Sequence, residues 1–458
     1  MQYKVEIRSL FFAPIFFIAA LLTGCAGDVV GTSGEDAAPR VAEMAEGPKL
    51  RMAHLMDRTK NNYVRAADGT YFKKGKGKGN GGGQEGGTVS LVIGTREPIL
   101  DIDRFLERHR LLMRYEYENA FTGLAAEIDE ARLDSFLQAI EDDPEIEWVE
   151  PDLFITPEQR DDAQQNSRDQ VVPWGIARVG APESSAQAGD GRGAVDVDLF
   201  ILDTGVKEKD LTVAGSARFF PQRDGTRSST DQNGHGTHVA GTAAAVDDAK
   251  DVVGVAPGAR IHNFKVLDDH GQTEISNVIA AVDSLIAYKR AHPGTDMVAN
   301  LSFGADIGTT DYNALDRAVR QALLEGIVFV VAAGNDGIDA ATVTPAHVEE
   351  AITVGAYDVY QRFAWFSNHG PVVDLNAPGV DVLSLDIAPP RGKSSKLMRM
   401  TGTSMAAPHV AGAAALYLAQ HPGASPAAVR EALVAAARPL VYGRPEGTTN
   451  LSLWVGDW

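Results

Sequence analysis

The sequence predicts an α/β fold in which a doubly wound, mostly parallel sheet follows a small α+β domain of ferredoxin-like type. Two observations carry this prediction. From about residue 195 onward, apolar segments of strand length alternate with helical segments. These strands are apolar on both faces, as strands covered by helices on each side require. Before them, residues 88–155 give the element order βαββαβ.

The elements of the small domain follow from hydrophobic periodicity. Apolar residues at helical spacing predict one helix from Ile102 through Phe105 and Leu106 to Met113, and a second from Leu133 to Ile140. Alternating or continuous apolar segments predict its strands at 89–93, 121–128 and 145–149.

The larger domain repeats a strand–helix pattern. Its predicted strands are 195–202, 259–267, 297–303 and 327–333, and its predicted helices follow Gly236 and span 273–290, 312–324 and 427–437. Ser425 followed by Pro426 is typical of an N-cap and a first helical position.

Length and composition limit the class of protein. With 458 residues, the chain fits two domains plus tails. A net charge of −20 argues against a nucleic-acid binder, which normally presents a basic surface. The single cysteine excludes an internal disulfide. We expect a monomer that binds no nucleic acid.

The first residues have the pattern of an export signal. Lys4 and Arg8 precede an apolar segment at 10–22, which is too short for a typical spanning helix. Leu-Thr-Gly-Cys ending at Cys25 resembles the bacterial lipoprotein box, which implies lipidation of Cys25 and a membrane-anchored precursor. A plain secretory signal is the alternative. Residues 1–24 are thus assigned to the signal, and the glycine- and lysine-rich residues 25–87 to a flexible tether.

Three distant motifs carry the chemistry. They are I-L-D-T-G with Asp203, N-G-H-G-T-H-V-A-G with His235, and G-T-S-M-A-A-P-H-V-A-G with Ser404. The order Asp, His, Ser is that of subtilisin, and differs from chymotrypsin and the α/β-hydrolases. The chain therefore resembles the subtilisin-like serine endopeptidases. The segment A-A-G-N-D-G around Asn335 resembles the proteinase K-like branch.

The resemblance implies a role for each of these residues. Ser404 is the nucleophile, placed at a helix N-terminus, and we expect Pro408 to lie inside the first turn of this helix. His235 is the general base, with His238 packed further into the domain, and Asp203 orients His235. The Asn335 side chain helps to hold the oxyanion. An N-cap serine, a strand-end aspartate and a turn asparagine are the purely structural alternatives.

The resemblance also implies a substrate cleft and a metal site. An extended polypeptide substrate would pair with two backbone edges, one at Ser302, Phe303 and Gly304 and one at residues 268–271 with Gly271. Asp336 would lie on the rim of the pocket. No cofactor is needed for catalysis. A structural calcium ion is expected at Asp374, with the backbone carbonyls of Glu349 and Ala351 as further ligands.

Two further segments resemble the inhibitory prodomain of this family, F-T-G-L-A-A at 121–126 and I-E-W-V-E-P-D at 146–152. The resemblance makes 88–155 an intramolecular inhibitor, 156–169 an exposed linker that is cut, and 170–458 the peptidase domain. Since the lipid anchor precedes the cut, maturation would release a periplasmic or extracellular enzyme. The alternatives are a peptide ligase or macrocyclase of the same family and a catalytically silent binding lipoprotein.

Overall fold

The computed structural model describes residues 51, 63–65, 71–73, 88–156, 160–167, 169–207, 210–219, 228–387 and 395–458. The expected export signal, Cys25 and most of the expected tether lie outside these residues. Within the span assigned to the tether, β1 (Tyr63–Arg65) and β2 (Tyr71–Lys73) pair antiparallel.

The small domain has the predicted ferredoxin-like order. Its elements are β3 (Thr88–Thr95), α1 (Ile102–His109), β4 (Leu112–Tyr117), β5 (Gly123–Asp129), α2 (Leu133–Ile140) and β6 (Ile146–Pro151). The sheet runs β4-β5-β3-β6 with every neighbouring pair antiparallel. The prediction was wrong at Met113, which lies in β4. The left-handed residue Arg110, at φ 54°, ends α1 before Met113.

The two faces of this small sheet have different partners. One face packs on its own helices through residues such as Ile93, Phe105 and Phe136. The other face, with Tyr117 and Trp148, packs into the core of the larger domain. The small domain is therefore docked on the larger one through a buried apolar surface.

Two short strands connect the domains. Phe154–Ile155 forms β7, and Arg160–Ser167 forms β8. The sequence predicted an exposed linker at 156–169, whereas the structure places most of it in a strand. The polar composition of this segment gives no hydrophobic signal for a strand. The strand β8 is held instead by backbone pairing with residues 395–401, which are distant in sequence.

The larger domain contains the remaining strands and helices. The strands are β9 (Asp198–Asp203), β10 (Val213–Arg218), β11 (Arg260–Lys265), β12 (Thr273–Glu274), β13 (Met297–Leu301), β14 (Ala305–Asp306), β15 (Val328–Ala332), β16 (Val343–Thr344), β17 (Ile352–Tyr357), β18 (Leu375–Pro378), β19 (Val382–Leu385), β20 (Ser395–Thr401), β21 (Arg438–Pro439) and β22 (Leu451–Ser452). The helices are α3 (Trp174–Arg178), α4 (His235–Ala244), α5 (Ile275–Ala291), α6 (Ala314–Leu324), α7 (Thr403–Gln420) and α8 (Pro426–Ala436).

The central sheet is mostly parallel, as predicted. Its order is β10-β11-β9-β13-β15-β17-β18-β22-β21, and only the β21–β22 pair among these neighbours is antiparallel. Leu199 and Ile201 pack into the core beneath α4 and α7, whereas Phe200 and Leu202 pack against α5 and α6 on the other face. This alternation buries both faces of β9 and leaves its end as the place for polar groups.

Helix α7 crosses under the sheet with its N-terminus at the carboxyl ends of the strands. Residues 403–416 of this helix are all buried. Pro408 is its sixth residue, in the second turn and not the first as predicted. The carbonyl that Pro408 leaves without its usual donor is that of Ser404, which instead accepts a hydrogen bond from the Ser302 hydroxyl at 2.9 Å.

Candidate active site

Asp203 and His235 form a hydrogen-bonded pair at the end of β9. The Asp203 carboxylate oxygen Oδ1 lies 2.7 Å from His235 Nδ1, and both side chains are fully buried. Oδ1 also accepts the backbone N–H of Thr204 at 2.7 Å. The carboxylate therefore fixes the orientation of the imidazole and favours the tautomer with the proton on Nδ1.

The chain before α4 is shaped to place His235. Gly234 caps the helix at φ 110°, a conformation that favours glycine. A Cβ on Gly236 would lie 2.1 Å from the carbonyl of Gly205, so only glycine lets the helix approach β9 so closely. Buried Asp231 accepts the backbone N–H of Gly234 at 2.9 Å through Oδ1, and that of Thr237 at 2.9 Å through Oδ2.

Ser404 lies one residue inside the N-terminus of α7, where backbone N–H groups lack helical partners. Its hydroxyl donates to the carbonyl of Ser302 at 2.8 Å, and the Ser302 hydroxyl donates back to the Ser404 carbonyl. This reciprocal pair ties the first turn of α7 to the end of β13.

Asn335 is oriented by the residue next to the serine. Its Oδ1 accepts the backbone N–H of Thr403 at 2.7 Å and the Thr403 hydroxyl at 2.9 Å. Since the oxygen end of the amide is turned toward Thr403, the NH₂ end is the one presented to the cleft. The Thr403 hydroxyl also accepts the backbone N–H of Gly334 at 3.2 Å.

A cleft joins most of the predicted substrate residues to Ser404 and Asn335. Phe303, Gly304 and Asp336 line it, and Ser302 lies directly beneath through its bonds with Ser404. Thr156, which follows β7 of the small domain, also lines the cleft. The covalently connected small domain thus ends beside the serine.

His238, the second histidine of the motif, has a different environment. Its Nε2 lies 2.8 Å from the carbonyl of Val382 and 3.1 Å from that of Met398. Burial lowers the pKa of His238 to about 3, so the ring is neutral and donates from Nε2. His238 therefore connects α4 to the β19–β20 hairpin, as a packed structural residue would.

Comparison with known proteins shows which family this chain resembles in sequence and fold. A model of the Subtilase family matches residues 196–452. An alkaline protease of Alkalihalobacillus alcalophilus is 37% identical over 316 residues, covering 69% of this chain and 73% of that protein. Proteinase R of Parengyodontium album is 32% identical over 320 residues, covering 69% and 75%. The crystal structure of a cold adapted subtilisin-like serine proteinase matches with a TM-score of 0.50 at 32% identity, covering 62% of this chain and 98% of that one.

The chain belongs to the subtilase family. Its fold is the subtilisin-like α/β fold, and it is a subtilisin-like serine endopeptidase, which acts on polypeptides. Because relatives include both bacterial alkaline proteases and Proteinase R, the narrower assignment to the proteinase K-like branch stays a prediction.

Among the described residues of this subtilase, no helix has both the length and the apolar character that crossing a bilayer requires.

The predicted substrate edge at residues 268–271 forms a turn that leads into β12. The tight turn at 268–272 pairs with itself, since Asp268 N–H donates to the Gln272 carbonyl and Gly271 N–H to the Asp268 carbonyl. Gly271 is not among the described residues that line the cleft. The pairing edge is instead β12, where Thr273 lies opposite Ile155.

The residues expected to bind calcium do not fit that ion. Asp374 Oδ1 accepts from the Arg430 guanidinium, with Nε at 2.8 Å, and Oδ2 accepts the Thr353 N–H at 2.8 Å. A cation would have to displace Arg430 from this buried carboxylate. The backbone carbonyls expected from Glu349 and Ala351 would add only neutral oxygen ligands. No cluster of three or more His, Cys, Asp or Glu side chains suited to a metal occurs in the described part of the chain.

Sequence reasoning missed the residues that position the others. Thr403 orients Asn335, and Asp231 organises the turn before His235. Asn368 holds the loop after Asn335 by accepting the N–H of Asp336 at 3.0 Å. The position of Asp231 four residues before a helical histidine, in D-Q-N-G-H, is a turn signal that could have found it.

We predict that replacing Asp374 by Asn leaves the response to chelators unchanged. Arg430 and the Thr353 N–H occupy the two carboxylate oxygens, so the shift in melting temperature on adding EDTA should be the same in Asp374→Asn as in the wild-type protein. Differential scanning calorimetry with and without EDTA measures this. A shift that disappears only in Asp374→Asn would restore the calcium assignment. Arg430→Ala is the matched control, because it removes the same ion pair but leaves the carboxylate.

Proposed function

We propose that Ser404, His235, Asp203 and Asn335 are the catalytic residues of this endopeptidase. Ser404 Oγ attacks the carbonyl carbon of the scissile peptide bond while its proton moves to His235 Nε2. The tetrahedral intermediate collapses when His235 gives this proton to the leaving amine, which leaves an acyl-enzyme on Ser404. Water, deprotonated by His235, then releases the acid and regenerates the serine.

The observations that support the assignment are the 2.7 Å contact between Asp203 and His235 and the cleft that Ser404 and Asn335 line together. Asp203 stabilises the imidazolium that forms in each step. The negative charge on the substrate oxygen is held by the Asn335 amide and by the backbone N–H of Ser404 at the N-terminus of α7.

The small domain acts as a self-inhibiting prodomain in this proposal. Two of its carboxylates cap helices of the peptidase domain. Glu150 accepts the N–H of Ala314 at 2.7 Å, at the start of α6, and Asp152 accepts that of Ser276 at 2.9 Å, near the start of α5. Its following residues pair with β12 and reach the cleft at Thr156. A cut within 156–169 would separate the prodomain from the enzyme.

Export as a lipid-anchored precursor completes the proposal. It rests on the sequence alone, through the apolar segment at 10–22 and Cys25. Because the anchor lies on the prodomain side of the proposed cut, processing would free the catalytic domain into the periplasm or medium.

The first test compares wild type with Ser404→Ala. Purified wild-type precursor should split at a bond within 156–170, and intact mass spectrometry would show the two fragments. Ser404→Ala should stay whole, because no other residue replaces the nucleophile. A fluorophosphonate probe should label the wild-type protein only. Self-processing or labelling of Ser404→Ala would overturn the proposal.

A second prediction concerns Thr403. Thr403→Val loses the hydroxyl that donates to Asn335, so kcat should fall roughly threefold to tenfold, the value of one neutral hydrogen bond, while KM changes little. Asn335→Ala should lose about 10²–10³ in kcat, the loss measured for this donor in subtilisin. Thr403→Ser is the matched control, since it keeps the hydroxyl. Equal activity of the Val and Ser variants on a peptide substrate would exclude this positioning role.

The third prediction concerns pH. Burial raises the pKa of Glu274 to about 7 from its ordinary 4.5, and burial also raises the pKa of Asp152. Both carboxylates contact one guanidinium, that of Arg114, and Glu127 and Tyr115 lie in the same electrostatic environment. The docked state therefore takes up a proton that Glu274 releases when the prodomain leaves. This contribution is complete below about pH 4.5 and is lost as pH rises through about 7.

Prodomain release after processing should accordingly increase between pH 5.5 and pH 8.5. Size-exclusion chromatography of the processed complex at several pH values measures the fraction released. Glu274→Gln, which stays neutral, should flatten this dependence. Glu350→Gln is the control, because that half-exposed carboxylate pairs with Arg320 away from the interface. Unchanged pH dependence in Glu274→Gln would contradict the prediction.

A further inference from the structure

Strand β20, which ends three residues before Ser404, has its edge covered by a segment of its own chain. In the three-stranded sheet β19-β20-β8, β8 pairs antiparallel with β20. The register runs from Ser167 opposite Ser395 to Arg160 opposite Thr401, with an irregularity between Arg399 and Met400. This ladder is far longer than the two-residue pairing of β7 with β12.

The covering segment is continuous with the chain that enters the cleft. Phe154 and Ile155 pair with β12, Thr156 lines the cleft beside Ser404, and Arg160 lies opposite Thr401. From its N- to its C-terminus, the segment first pairs with β12, then passes Ser404 at Thr156, and then pairs with β20. A polypeptide that follows the same direction would therefore place the residues after its scissile bond along β20.

The β20 edge is held firmly by the catalytic domain. Leu397 is fully buried with Leu383 and Leu385 in one apolar cluster. His238 Nε2 reaches the carbonyls of Val382 and Met398, so the hairpin is tied to α4, which also carries His235. An edge fixed in this way needs little reorganisation to accept another strand.

The pairing of the two strands depends on the backbone and not on charge. The register places Ala163 opposite Arg399 and Asn166 opposite Lys396, and Arg399 pairs with Asp381 of its own domain. Neither strand contains proline. Once β8 is removed, β20 presents unpaired N–H and C=O groups, which favour pairing with another extended chain.

We propose that β20 is an extended binding site for the part of a polypeptide substrate that lies C-terminal to the scissile bond. Its ligand is an unfolded, proline-free segment of about seven residues, bound antiparallel by backbone hydrogen bonds. The segment 160–167 occupies this site in the precursor as a substrate mimic. This proposal rests on the proposed function, since it takes Ser404 as the point of cleavage.

The test uses the enzyme obtained by self-processing of the full chain, with its N-terminus determined by sequencing. If residues 160–167 are still attached, the test uses a variant that carries Ala163→Pro and Gln165→Pro, because proline cannot donate to the ladder along β20. Internally quenched peptides share the same residues before the scissile bond and carry two, four, six, eight or ten proline-free residues after it. The specificity constant kcat/KM should rise at least about tenfold from the two-residue to the ten-residue peptide, through a lower KM.

Backbone N-methylation supplies the matched control. In an antiparallel ladder, alternate residues point their N–H toward the neighbouring strand. Methylating the residues that face β20 in the ten-residue peptide should abolish the gain, while methylating the alternate residues, whose N–H groups face away, should not. A synthetic peptide of residues 157–169 should also inhibit cleavage of the ten-residue peptide and leave the two-residue peptide unaffected, and a peptide of the same composition with two central prolines should not inhibit.

Two outcomes would overturn the proposal. They are a kcat/KM independent of length beyond four residues, and equal effects of both methylation sets. Each is separate from failure of the catalytic assignment, because the short peptide would still be cleaved and Ser404 would still react with a fluorophosphonate. If the short peptide is not cleaved and Ser404 does not react with the fluorophosphonate, the proposed function itself is contradicted.

Discussion

The central sheet is covered by helices on both faces, and this constraint determines where chemistry can occur. Polar groups are tolerated where strands end, and the candidate residues lie there. Asp203 ends β9, Ser302 follows β13, and Asn335 follows β15. Helix α7 brings Ser404 to the same edge from beneath, and the reciprocal Ser302–Ser404 hydrogen bonds close the contact. The same bonds explain why Pro408 is tolerated inside a buried helix, because the carbonyl that it leaves without a donor is the one that Ser302 reaches.

The small domain docks on the backbone N–H groups at two helix N-termini of the peptidase domain, groups that have no partner within their own helices. Glu150 and Asp152 each place a carboxylate at a helix start and each also pairs with an arginine, Arg317 or Arg114. Burying these charges is costly unless every partner is present, so the arrangement requires accurate docking. When the small domain leaves, water can satisfy the N–H groups at both helix starts. Arg114 leaves with the small domain while Glu274 stays on the peptidase domain, so their ion pair is broken. The interface is thus specific without being irreversible.

How much the sequence could predict depends on the range of the interactions involved. The triad motifs and the strand–helix alternation are local patterns. They predicted the fold, and they singled out Ser404 and Asn335, which line one cleft, and the hydrogen-bonded pair Asp203 and His235. Features set by distant contacts were missed. The pairing of β8 with β20 joins segments more than two hundred residues apart, and its polar sequence gives no periodic signal. The family resemblance predicts calcium at Asp374, and nothing near Asp374 in the sequence indicates that Arg430 pairs with it. Gly271 lies in a self-paired turn, and the small domain pairs two residues further along the chain, at β12.

The composition of the segment 160–167 suggests why cutting the chain would matter for β20. The sequence R-D-D-A-Q-Q-N-S buries little apolar area in any conformation, so its pairing depends on backbone hydrogen bonds whose net contributions are about 1 kcal/mol each. Such a strand binds weakly as a free peptide, but a covalent connection to the docked small domain raises its effective concentration. Cleavage beside Ser404 breaks the connection of this strand to the small domain. A second cleavage, before Val171, would break its connection to the peptidase domain. A polar strand therefore suits a segment that must cover the edge while the chain is intact and leave it afterwards.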